Sequence, residues 1–109
     1  QVTAMVAASR GGMSPGEAIE RARLAIRRGR LRISFHTRHD RMGLRNASRA
    51  DIEEAIETCS GAVQNRERTN RWRLTGGVDL DGDGLDVVVA FDDDGITCVV
   101  TILDPKDES

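Results

Sequence analysis

Residues 33–45 read Ile-Ser-Phe-His-Thr-Arg-His-Asp-Arg-Met-Gly-Leu-Arg and contain both histidines of the chain, His36 and His39. They lie within a wider segment, 21–49, that carries ten arginines and a single acidic residue, Asp40. Histidine takes and gives protons near neutral pH. Arginine is a permanent cation whose planar fork matches phosphate oxygens. Proton-transfer groups beside phosphate-binding groups are what RNA cleavage without a metal requires. A non-catalytic nucleic-acid-binding surface has the same composition.

If residues 36–45 are helical, side chains three to five apart share a face. His36 or His39 would then project beside Arg41 and Arg45. Nearby cations lower a histidine pKa and keep the ring a base at neutral pH. The plainer alternative is that one histidine packs against a sheet and the other is simply exposed. Trp72 stands among Arg68, Arg71 and Arg73. That pattern suits an unpaired base stacked on the indole with its backbone held by guanidinium groups. It equally suits a core tryptophan. Arg38 joins the same set of RNA-binding candidates. In the apolar run Val99-Val100-Thr101-Ile102-Leu103, Thr101 is either an ordinary strand residue or a hydroxyl that positions a phosphate oxygen.

Other motifs have simpler readings. Asp79-Leu80-Asp81-Gly82-Asp83-Gly84 resembles the first half of a calcium loop, but the closing position is Ala90. Without the bidentate ligand there, the segment reads as a hairpin tip. Cys59 and Cys98 have no metal-ligand spacing and are expected to be buried free thiols, with a disulfide as the minor alternative. No Gly-rich phosphate loop, Cys–His nucleophile pair or metal-binding cluster is present. Neither metal nor cofactor is therefore expected.

The elements that must position these residues follow from periodicity. Residues 1–13 read as a flexible lead. Ser14, Pro15 and Glu17 form a helix start with a capping box, and Ala18, Ile19, Ala22, Ala25 and Ile26 make its apolar stripe. Gly29 ends it. Leu31, Ile33 and Phe35 alternate with polar residues as a short strand, followed by a turn or short helix over 36–43. A second helix begins at Ser48 and is expected to stop at Gly61. Strands are expected at 62–67, 70–76, 85–91 and 96–103, the last three as an antiparallel meander. The predicted architecture is α+β, with N-terminal helices packed on a four-stranded, mainly antiparallel sheet over 14–104, and an acidic tail at 105–109.

The 109 residues suit one domain, with 39% hydrophobic and 31% charged residues. Only Phe35, Trp72 and Phe91 are aromatic, so Val, Ile, Leu and Ala must build the core. Residues 1–73 carry fifteen basic against eight acidic side chains, a balance of +7, whereas 74–109 carry one Lys against ten acids, a balance of −9. Such asymmetry suggests a basic binding face and an acidic remainder. No stretch approaches the length of a membrane-spanning helix. The start at Gln1 suggests a piece of a longer protein.

On these residues the chain resembles the family called domain of unknown function 4258. The similarity runs over about 31–103 through Arg41-Met42-Gly43-Leu44-Arg45, the turn Asn46-Ala47-Ser48, and the helix at 51–59. It continues through Trp72-Arg73-Leu74, Asp81-Gly82-Asp83-Gly84, Val87-Val88-Val89 and Val99-Val100-Thr101. The family looks related to the BrnT-like and RelE-like toxin ribonucleases of the barnase, EndoU, colicin and RelE superfamily. The resemblance implies a RelE/barnase-like fold and metal-independent RNA cleavage. His36, or His39 in second place, would move protons. Arg41 and Arg45 would stabilise phosphate charge, with Thr101 positioning an oxygen. The family's histidine falls at Thr37, between the two histidines, and His36 is preferred because it follows the strand. A toxin implies a cognate antitoxin or immunity protein. The expected location is the cytoplasm, or the domain is delivered as the C-terminal part of a larger secreted toxin. The competing expectation is a non-enzymatic module that binds nucleic acid or protein.

Overall fold

A computed structural model describes residues 12–107, except the side chains of Asp40, Arg41, Leu44 and Arg45. Helix α1, Pro15–Arg27, starts as its sequence predicts: Ser14 accepts from the Glu17 amide and Glu17 accepts from the Ser14 amide at 2.7 Å. Its buried face is made of Ala18, Ala22 and Ala25. Small side chains let the helix lie close against the sheet. Strand β1, Leu31–Ile33, follows, then a π-helical turn over Thr37–Arg41, a single α-turn α2, Met42–Arg45, and helix α3, Arg49–Thr58. The remaining strands are β2, Gly61–Gln64, β3, Arg71–Thr75, β4, Asp86–Phe91, and β5, Thr97–Leu103.

The sheet order is β1-β5-β4-β3-β2. The β2–β3, β3–β4 and β4–β5 pairs are antiparallel, and β1 runs parallel to β5. The sheet is thus mixed and five-stranded, not the expected four mainly antiparallel strands. The three residues of β1 are too few for alternation to reveal a partner. Strand β1 also stops at Ile33 and β2 at Gln64, each short of the expected end. Among the described residues, no helix is long and apolar enough to cross a membrane.

One sheet face is covered by helices. Ala18, Ala22, Ile52, Ala55 and Ile56 meet Trp72, Leu74, Val87, Val89, Val99 and Ile102 in a single core. Helix α3 does not run on to Gly61; it ends at Thr58 with Cys59 extended. Arg23 of α1 donates to the Ile56 and Cys59 carbonyls at 3.3 and 2.9 Å. A cation from the neighbouring helix satisfies the carbonyls of that terminus. Gly77 admits a close approach there, since a Cβ would stand 2.1 Å from the Ala55 carbonyl oxygen.

The start of α3 is fixed more firmly than the sequence shows. Ser48 accepts from the Asp51 amide, and the Asp51 carboxylate accepts from the Ser48 amide and, across the fold, from the Leu80 amide at 3.0 Å. These backbone donors, Ser48 first and Leu80 second, lower the Asp51 pKa. A folded-state pKa below the unfolded value of about 3.9 stabilises the fold above that value, and the contribution fades as pH falls through the folded pKa. Asp51→Asn should therefore lower stability near pH 6. Urea titrations at falling pH should show the difference shrinking below about pH 4; a difference that grows in acid contradicts the assignment.

Candidate nucleic-acid-binding and catalytic site

Strand β1 has three residues and β5 has seven, so β1 leaves the later part of the β5 edge uncovered. An uncovered edge presents unpaired backbone groups. The chain closes this edge with hydroxyls. The Ser34 amide donates to the Val99 carbonyl at 2.9 Å. The Thr37 hydroxyl donates to the Val100 carbonyl at 2.8 Å, and the Ser34 hydroxyl lies 2.8 Å from that of Thr37. Val100 is the extra residue of a β-bulge, because Val88 pairs with Thr101 while Val89 pairs with Val99. A bulge residue has no ladder partner. Thr37 is fully buried, and its hydroxyl supplies that missing partner.

This clasp holds the π-helical turn, in which the Met42 amide bonds the Thr37 carbonyl. His36 and His39, on either side of Thr37, are exposed. The His39 ring lies 4.1 Å from the Phe35 ring, centroid to centroid, and Phe35 is 76% exposed. Arg38 is exposed on the same turn. Arg41 and Arg45 belong to this turn and to α2, but their side chains lie outside the described residues. Thr101 follows the clasped Val100 directly. It pairs with Val88 on the sheet face opposite the core, half-exposed.

Among the described residues, no helix covers that second sheet face. Along it runs a groove of about 670 Å³ between the loop after β2 and the turn at Pro105–Asp107. Arg66, Arg71, Arg73 and Lys106 line it together with Asp86 and Val88. Arg71 and Arg73 are on β3, separated from β5 by β4. Two strand spacings make that distance about 10 Å. Arg68 is exposed in the loop before β3.

Two expectations require correction. Trp72 is 3% exposed and belongs to the core, so it offers no face to a base. Both rings in the sheet, Trp72 and Phe91 of β4, are drawn to the apolar side. Arg73 is not free to bind RNA. Its Nε donates to Asp86 Oδ2 at 2.8 Å, and its guanidinium also donates to the Asp104 carbonyl.

Sequence reasoning passed over Asp86, Arg66 and Lys106. Asp86 had a signal: it opens Asp86-Val87-Val88-Val89-Ala90-Phe91, a run otherwise apolar throughout. A buried carboxylate in such a strand needs a partner, and Arg73 is that partner. The hairpin-tip reading of 79–84 agrees with the geometry, since Asp79 Oδ1 accepts from the amides of Asp81 and Asp83, both at 2.9 Å. Cys59 and Cys98 are free thiols, and desolvation raises the pKa of each. Raised pKa values hold them as thiols rather than nucleophilic thiolates at neutral pH.

A small α+β domain with helices on one sheet face and arginines lining the other is the class the described residues define. The chain belongs to the DUF4258 family, described as a domain of unknown function, whose sequence pattern matches residues 33–104. The match begins at the end of β1 and takes in the clasp, the π-helical turn and the groove except Pro105, Lys106 and Asp107. No curated protein and no solved structure matches the chain.

Thr37→Val keeps the shape of the clasp but removes its donor. The Val100 carbonyl then keeps only the longer bond from the Ser34 hydroxyl, at 3.2 Å, and the loss should cost about 1 kcal/mol. Hydrogen exchange should then quicken in residues 34–42 before the rest of the sheet. Unchanged exchange there would rule out the clasp.

Proposed function

We propose that this domain is a toxin-type ribonuclease that cleaves RNA without a metal. The observation that carries the reading is the exposed pair His36 and His39, anchored by buried Thr37 at the edge of a sheet whose open face is rich in arginine. In the reaction the RNA 2′-hydroxyl loses its proton to His36 and attacks the adjacent phosphorus. A 2′,3′-cyclic phosphate forms as the P–O5′ bond breaks, and the 5′-oxygen leaves with a proton taken from solvent water. His39 is the second candidate for the proton-transfer role. Arg41 and Arg45 stabilise the charge that grows on the phosphoryl oxygens. Thr101 positions one of those oxygens, and Arg38, Arg68 and Arg71 hold the flanking backbone. The acidic C-terminal third repels RNA and confines it to the basic side.

As a BrnT- or RelE-like toxin, the domain has a cognate antitoxin or immunity protein that covers the arginine-rich surface. It acts in the cytoplasm, either made there or delivered as the C-terminal part of a larger secreted toxin. One feature favours a second reading, a binding module without catalysis: the arginines of the groove stand two strands away from the histidine-bearing edge.

Labelled RNA incubated with the protein in EDTA separates the two. Cleavage that falls about 100-fold or more in His36→Ala and in Arg41→Ala supports the enzyme. Salt-sensitive retention without cleavage, indifferent to His36→Ala, supports the binder. Absence of any RNA binding removes both.

A further inference from the structure

The floor of the groove contains an unusual group. Asp86 is 3% exposed, and its Oδ2 is taken by Arg73 at 2.8 Å. Its other oxygen, Oδ1, is buried and has no hydrogen-bond partner among the described residues. A buried carboxylate oxygen left unpaired is costly, and a ligand that donates to it removes the cost. The groove around it has the size of a small-molecule pocket.

Charge decides which donor fits. Arg66, Arg71, Arg73 and Lys106 line the groove against Asp86 and Asp107. The excess of cations repels a basic peptide and attracts an anion. The occupant must therefore be negatively charged as a whole and yet donate an N–H at one end. A nucleotide has that construction, with phosphate at one end and base donors at the other. Among the bases, guanine presents N1–H and the N2 amino group side by side with no acceptor between them. Uracil flanks its N3–H with two carbonyl oxygens, which a carboxylate repels.

The geometry points to this groove as a base-reading site that takes a guanine nucleotide, with Asp86 Oδ1 accepting from the guanine edge. Arg71, Arg66 and Lys106 hold its phosphate. The inference rests on the ribonuclease reading for its biological role and gives that reading a sequence preference. It concerns a different face from the proton-transfer residues.

Titration of the protein with guanosine, uridine, adenosine and cytidine monophosphates, followed by amide chemical-shift changes, tests it. The guanine nucleotide should bind about tenfold tighter than the uracil one, the size expected for one hydrogen bond to a charged group. Shifts should map to β3, β4 and residues 104–107. Arg71→Ala should weaken all four nucleotides and leave the guanine-to-uracil ratio unchanged. Asp86→Asn can present its amide oxygen to Arg73 and its N–H2 to the groove, so the ratio should fall and turn toward uracil. Equal affinity for the four bases, shifts elsewhere on the surface, or a ratio that survives Asp86→Asn overturns the inference. If Asp86→Asn fails to fold, the wild-type preference and the Arg71→Ala ratio still decide. Guanine binding without RNA cleavage would sink the ribonuclease reading alone, and cleavage without base preference would sink this one alone.

Discussion

The Thr37 hydroxyl on the Val100 carbonyl is the contact on which the candidate site depends. Strand β1 is too short to pair the whole of β5, and the bulge at Val100 leaves a carbonyl with no ladder partner. Ser34 and Thr37 close that gap through side chains, which lets the backbone leave the sheet and wind into a π-helical turn. The turn then holds its histidines outward because the residue between them is held inward. Arg49 adds a second tie by donating to the Leu31 carbonyl, so the start of α3 and the start of β1 are fixed relative to each other. The residues between those two ties are the ones richest in chemistry.

The other organising feature is electrostatic. Arg73 and Asp86 form a largely buried ion pair on the sheet face opposite the helices. Removing two charges from water opposes folding, and their attraction roughly offsets that cost only when hydrogen bonds are complete. Here they are incomplete, since one oxygen of Asp86 lacks a donor. A pair of this kind is weak evidence for stability and better evidence for a role in the groove. The same interaction withdraws Arg73 from general phosphate binding and leaves Arg66, Arg71 and Lys106 to supply the mobile positive charge.

Much of the framework was legible because it is local. The capping box at Ser14, the helix start at Ser48, the alanine stripe of α1 and the meander of β3, β4 and β5 are encoded within a few residues, and they formed as read. The hairpin tip at Asp79 was legible for the same reason. Trp72 was ambiguous because a strand residue faces one of two sides, and flanking arginines say nothing about which side holds the helices. Its neighbours Arg71 and Arg73 project to the open face because Trp72 does not.

By itself, the sequence determined which segments are helix and which are strand, where two helices start, and which short segment concentrates histidine and arginine. Those properties depend on contacts between residues close in the chain. Only the tertiary structure decided that β1 joins β5 in parallel and that Thr37, 63 residues from Val100, closes the bulge. Only it showed that an aspartate in a valine run sits beneath a cationic groove. Each of these pairs partners far apart in sequence, and a hydrogen-bond acceptor left open by one strand carries no mark in the residues that will fill it.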